Sequence, residues 1–203
     1  MSPTAPRIGE RLREERIRRG VTVRGLAREI GVSASLISQI ETEKSSPSVS
    51  TLYAITTALG ISIEELFNGR EPARPVEATR PDPGGIHRRI GPVVRPGERE
   101  VLTLESGVTW ELLGRLPGTH VDFLLITYQP GGTSSSSGLL MRHSGTEYGH
   151  VLSGELVLTL GFERHRLTPG DSVSFESTTP HRYHNDGPVP AVGVWFVLER
   201  SAD

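Results

Sequence analysis

The chain has 203 residues, enough for one large domain or two small ones, and no cysteine, which excludes disulfides, thiolate nucleophiles and Cys-type zinc or iron–sulfur sites. Its 22 Lys/Arg against 24 Asp/Glu give a net charge of −2, which excludes a uniformly basic, histone-like protein but not a basic patch. Residues 1–70 carry ten Lys/Arg against eight Asp/Glu and residues 71–203 carry twelve against sixteen, so affinity for nucleic acid is expected in the first third.

The N-terminal stretch MSPTAPRIGERLREER has no apolar run, so a secretory signal is not expected. Helix one is predicted from about Ile8 to Arg19, with sparse apolar positions Ile8, Leu12 and Ile17 and a stop at Gly20. Thr22 is placed as the N-cap of helix two, with Leu26, Ala27 and Ile30 on its apolar face and Gly31 at its end. Ser33 caps helix three, whose apolar residues are Leu36, Ile37 and Ile40. Pro47 breaks the chain, and Ser48 or Ser50 starts helix four with Leu52, Ile55 and Leu59. Gly60 stops that helix, and Ile63 to Phe67 forms a last short one.

Composition changes near residue 70. Asn68 to Gly85 contains four prolines and three arginines and reads as a linker. Beyond it, Gly and Pro punctuate short runs such as VDFLLITYQPGG, GELVLTLG, LTPGDSVSF and AVGVWFVLE. Strands spaced in this way indicate a sandwich or barrel. The division expected is therefore an all-α domain over 1–69, a linker over 70–85 and an all-β domain over 86–203. No segment approaches the ~20 apolar residues of a spanning helix, so a cytoplasmic protein without a membrane partner is expected.

Helices two and three, separated by a few residues around Gly31, have the outline of a helix-turn-helix. The outward positions of helix three are Ala34, Ser35, Ser38 and Gln39, all small or polar and uncharged, which suits close approach to another surface. The stretch TVRGLAREIGVSASLISQIETEKSSPSVSTLYAITTALGISIEELF resembles the DNA-binding domain of the XRE family, which includes the lambdoid phage repressors, over roughly residues 8–68. Leu26, Ala27, Gly31, Val32, Ser33, Ile37, Glu41, Pro47, Leu52, Ala58 and Leu59 carry that resemblance.

The resemblance implies a five-helix, lambda-repressor-like fold in which residues 33–41 are the recognition helix, entering the major groove. It places Ala34, Ser35 and Gln39 where such repressors touch bases, and the Gln39 amide can pair bidentately with adenine. Ser38 shares their outward face. Thr22, Ser33, Thr42 and Lys44 are implied near phosphates, with Arg24 and Arg13 as further contacts. Arg16 and Glu41 match a structural ion pair. Family members bind palindromic double-stranded operators as dimers, so a homodimer is implied.

In the second domain, His143 and Glu147 lie four apart, facing one way on an extended strand, with Met141 on the same face. His181 follows Pro180. Two imidazoles and a carboxylate from different strands can bind a divalent metal. The stretch HSGTEYGHVLSGELVLTLGFERHRLTPGDSVSFESTTPHRYHNDG resembles a cupin, a double-stranded β-helix barrel. His143, Glu147, Gly154, Gly170, His181 and Asn185 match the family's motifs, whereas Met141 stands where a first histidine is usual.

Two readings of the pocket follow. His143, Glu147 and His181 form a two-His-one-carboxylate triad for Fe, Mn, Zn or Ni, or the same residues and Met141 hydrogen-bond and pack on a polar ligand without metal. Met141 favours the second, because a thioether is a poor ligand for these ions. Tyr148 and His150 point away from Glu147 on alternation, and Trp195 and Phe196 are assigned to core and interface. An XRE domain fused to a cupin implies a transcriptional regulator, not an enzyme, whose cupin senses a small-molecule effector. The alternatives are a cupin serving only to dimerise, or a dioxygenase-like cupin enzyme.

Overall fold

The computed structural model describes residues 8–67, 93–114 and 121–198. The expected linker over 70–85, and both boundaries drawn around it, lie outside the described residues. Five helices come first: α1 Ile8–Arg18, α2 Val23–Glu29, α3 Ala34–Glu41, α4 Val49–Leu59 and α5 Ile63–Phe67. Their starts are set by hydroxyl caps. Thr22, Ser33 and Ser48 each accept from a backbone N–H three residues on, satisfying donors that the first turn leaves unpaired. Gly60 ends α4 in the left-handed conformation (φ 58°), where a side chain would be strained.

The helices enclose a core of Leu12, Leu26, Ile37, Ile40, Leu52, Ile55, Leu59 and Ile63. Ile17, placed on the apolar face of α1 by its sequence, is instead 57% exposed. With only two other apolar residues on that helix, spacing could not tell a core position from a surface one. Arg16 takes part in the buried structure in its place. Its Nη2 donates to Glu41 Oε2 at 2.8 Å and its Nη1 to the Val21 carbonyl at 2.8 Å, tying α1 to α3 and to the turn before α2. Packing of α1 on α3 is close: a Cβ at Gly9 would lie 2.0 Å from the Ile40 carbonyl oxygen.

Nine strands follow: β1 Val101–Leu104, β2 Val108–Gly114, β3 Val121–Tyr128, β4 Thr146–Ser153, β5 Leu156–Leu160, β6 Glu163–Leu167, β7 Ser172–Glu176, β8 His181–His184 and β9 Ala191–Leu198. They form a six-stranded sheet in the order β1-β2-β3-β9-β4-β7 and a three-stranded sheet in the order β6-β5-β8, all pairings antiparallel. A backbone bridge between Met141 and His181 adds a further segment at the β8 edge. In β9, expected as a buried strand, Ala191, Gly193, Trp195 and Val197 face inward and alternate with less buried residues, the pattern of a sheet with one face on the core.

The helices and strands share one contiguous set of buried apolar residues. Main-chain hydrogen bonds cross between them at the start of α4: Ser50 N–H donates to the Ser134 carbonyl at 2.9 Å, and Glu105 N–H to the Pro47 carbonyl at 3.0 Å.

Candidate functional site

In the helical part, the sequence-selected residues Thr22, Arg24, Ser33, Ser35, Ser38, Gln39, Thr42 and Lys44 are all exposed, and Ala34 is half-buried. They lie on α3, on its two flanks and at the start of α2. Three of the hydroxyls already have structural work. Thr22 and Ser33 cap helices, and Thr42 Oγ1 donates to the Ser38 carbonyl at 2.8 Å. The Gln39 amide makes no side-chain hydrogen bond among the described residues, and Arg13 is also exposed. Helix N-termini with neutral donors and nearby cations are suited to phosphate contact.

The barrel brings His143, Glu147 and His181 together, all buried, with one donor atom from each within 4.8 Å of the others. His143 does not sit on a strand as expected. It precedes β4, and Gly145 (φ 101°) turns the chain between it and Glu147. Convergence survives because the turn brings the ring back over the strand: His143 Nε2 is 2.9 Å from Glu147 Oε1. Across the barrel, His181 Nε2 is 3.1 Å from the same oxygen, but its alignment leaves that nitrogen without a hydrogen-bond partner.

The remaining ring nitrogens face backbone carbonyls. Nδ1 of His143 lies 3.1 Å from the Ser144 carbonyl, and Nδ1 of His181 lies 2.8 Å from the Thr179 carbonyl. These contacts fix the ring orientations so that both Nε2 atoms point at Glu147. Burial pushes the Glu147 carboxyl up, yet the two imidazoles outweigh it and hold it at about 2, so it is ionised at neutral pH. Two imidazole Nε2 atoms and a buried carboxylate therefore converge on one place. This donor set fits a divalent metal ion.

Around this cluster, Tyr183 Oη donates to Glu147 Oε2 at 3.0 Å and Trp195 Nε1 donates to Tyr183 Oη at 3.2 Å. Burial first, and then the Glu147 charge, push the Tyr183 phenol up, so it stays neutral and able to donate. Met141, 7% exposed, lines a small cavity beside Glu147 together with Tyr53, Val49, Trp110, Tyr128, Tyr183 and Trp195. Its volume is about 20 Å³, room for roughly one water. Tyr148 and His150 lie on the outer face as expected, and Phe196 is 38% exposed whereas Trp195 is buried.

Sequence reasoning passed over Tyr53, Trp110 and Tyr183. Tyr183 was within reach, because it lies two residues after His181 and therefore shares its face of β8. Tyr53 carries no such signal, since it reaches the cavity from a helix of the other part of the chain.

The chain matches the helix-turn-helix family over residues 12–66 and the cupin domain family over residues 124–197, ranges that contain α3 and the whole buried triad. It is 33% identical over 179 residues to the HTH-type transcriptional regulator PuuR of Escherichia coli, covering 87% of this chain and 86% of that one. The chain is a helix-turn-helix transcriptional regulator with a cupin domain. The HTH-type transcriptional regulator SutR of Escherichia coli is 27% identical over 177 residues, covering 87% of this regulator and 85% of its own length. The crystal structure of an HTH_3 family transcriptional regulator from Vibrio cholerae superposes on this regulator with a TM-score of 0.67 at 22% identity, covering 97% of both chains. That likeness extends to the order of the two folds along the chain.

Proposed function

We propose that this regulator is a one-component sensor. The α1–α5 domain binds a palindromic double-stranded operator as part of a homodimer, and the cupin takes a small effector held on a divalent metal ion at His143, Glu147 and His181. The observation that carries the reading is the buried carboxylate between two imidazole Nε2 atoms, open to a cavity beneath a helix of the DNA-binding domain. Such a set is costly to bury unless a partner completes it. Met141 packs at the cavity wall and is not a ligand.

On the DNA side, Gln39 reads a base edge, Ala34 and Ser35 pack against neighbouring bases, and Ser38 borders them. Thr22, Arg24, Ser33, Thr42 and Lys44 hold the phosphate backbone. The homodimer is supported by two considerations. One small domain buries too little surface for specific operator binding, and Phe123, Tyr148 and Phe196 form an exposed aromatic row across β3, β9 and β4. The cupin acts as a sensor and not as an enzyme on this reading, which its similarity to transcriptional regulators supports. Regulation of transcription places the protein in the cytoplasm.

The test has two steps. Rounds of selection from a random duplex pool identify the operator, which should have two symmetric half-sites. Thermal-shift screening with Fe²⁺, Mn²⁺, Zn²⁺ and Ni²⁺, followed by small metabolites on the metal-loaded protein, then identifies the occupant. A metal that raises the melting temperature in the wild type but not in Glu147→Gln supports the reading. No stabilising metal and no enriched operator would refute it.

A further inference from the structure

We propose that the effector site is built from both domains, with Tyr53 of the DNA-binding domain as the roof of the cupin cavity. What enters the cavity rests on the sensor reading above; the construction of the roof does not. Tyr53 is 6% exposed although it belongs to helix α4. Its ring stacks on the His143 imidazole with 4.0 Å between centroids and 5° between planes, and meets Trp110 edge-on at 5.7 Å. Val49, four residues earlier on the same helix, lines the same cavity. The other walls come from the barrel.

The cavity volume is about 20 Å³, whereas small-molecule sites run to roughly 300 Å³ and more. An occupant larger than a water must therefore displace part of the wall, and the Tyr53 ring is the part that stacks on the cluster. Trp110 Nε1, a buried donor on a residue that lines the cavity, has no hydrogen-bond partner among the described residues. Burying such groups unsatisfied is costly.

Helix α4 cannot yield Tyr53 by shifting alone. Leu52, Ile55 and Leu59 on the same helix are among the most buried residues of the helical core. The first turn of α4 is also hydrogen-bonded to the barrel through Ser50 and Ser134. Ser134 Oγ accepts from Tyr183 N–H at 3.0 Å, and Tyr183 Oη donates to Glu147. Hydrogen bonds thus run from the carboxylate to the first turn of α4. An effector that fits only when the roof is raised binds one arrangement of the two domains better than the other. That difference is what coupling to DNA requires.

Trp110 and Trp195 are the only tryptophans in the chain, and both line the cavity. Acrylamide quenching of intrinsic fluorescence therefore reads access to it in the full-length protein, with no need for a ligand. Wild type and Tyr53→Phe should quench weakly and alike. Tyr53→Ala should quench several-fold more, with circular dichroism and melting confirming the fold. Tyr53→Leu refills volume without a stack; it should also exceed wild type, and it serves if the alanine variant does not fold. Equal quenching in wild type and a folded Ala or Leu variant would overturn the roof.

A second arm uses Co²⁺ as the probe and the selected operator duplex as the readout. The change in operator affinity on adding Co²⁺ should shrink by at least about fivefold in Tyr53→Ala or Tyr53→Leu. A full response in a folded variant would overturn coupling through Tyr53. Absence of any Co²⁺ response in the wild type would instead count against the metal-dependent sensor, with the roof decided by quenching.

Discussion

The Tyr53 ring lies parallel to the His143 imidazole at 4.0 Å, so a residue of the DNA-binding domain covers a residue of the buried cupin cluster. The stack joins the two parts of the chain beside the buried carboxylate. Such aromatic pairs contribute about 0.5–1.5 kcal/mol beyond the area they bury.

The Arg16–Glu41 pair should be a stability determinant rather than a DNA contact. Its side chains are 9% and 6% exposed, and the Glu41 hydrogen bond raises the Arg16 pKa further. Removing one partner strands a buried charge, so Glu41→Ala should lose roughly 3–5 kcal/mol in urea unfolding. An apolar double replacement, Arg16→Met with Glu41→Leu, should recover much of that loss. If the single change costs less than about 1 kcal/mol, the range of exposed pairs, the structural role is wrong.

Gln39 and Lys44 should separate into two kinds of DNA contact. Gln39→Ala is expected to cost about 1–3 kcal/mol on the selected operator and to relax preference at one base pair per half-site. Lys44→Ala should weaken all sequences alike and lower the salt slope by about one unit. Binding titrations at several salt concentrations, on matched and substituted duplexes, distinguish the two. An unchanged operator preference in Gln39→Ala would remove its base-reading role.

Gly193 should not tolerate alanine. A Cβ there would lie 2.4 Å from Trp195 Cζ3 and 2.6 Å from the His150 carbonyl oxygen, so either the indole or the strand must shift. The indole also donates to Tyr183, which holds Glu147. Gly193→Ala is expected to lose roughly 1–3 kcal/mol through overpacking and to weaken metal retention with it. Denaturation together with metal content of the purified protein checks both. Wild-type stability would show that the indole has more freedom than its contacts suggest.

Much of the fold was legible from local chemistry. Thr22, Ser33 and Gly60 mark helix ends through caps and positive φ, which are properties of single residues, and the run Ile63–Phe67 forms the short last helix expected of it. The strand runs VDFLLITY and AVGVWFVL alternate with the pleat and fall within β3 and β9. The triad was also visible, because its members match a spaced motif. What could not be read was the space between the domains. Tyr53 in STLYAITTAL looks like one more apolar residue of α4, and nothing local says that it faces a barrel. The ring orientations of His143 and His181 were equally hidden, since they depend on the Ser144 and Thr179 carbonyls that only the folded turns supply. Ile17 failed for the opposite reason, being an apolar residue whose helix has little core to offer it.

The central claim is that occupation of the His143–Glu147–His181 cluster is felt at the recognition helix. Its most direct measurement is the affinity of the full-length regulator for its selected operator, in fluorescence anisotropy, with Co²⁺ bound and after removal of metal by a chelator. The wild type should differ between the two states by about fivefold or more, the range of a coupling free energy of 1 kcal/mol upward. Glu147→Gln should give the same affinity in both states. Equal affinities in the wild type, with Co²⁺ shown by elemental analysis to be bound at that cluster, would contradict the claim.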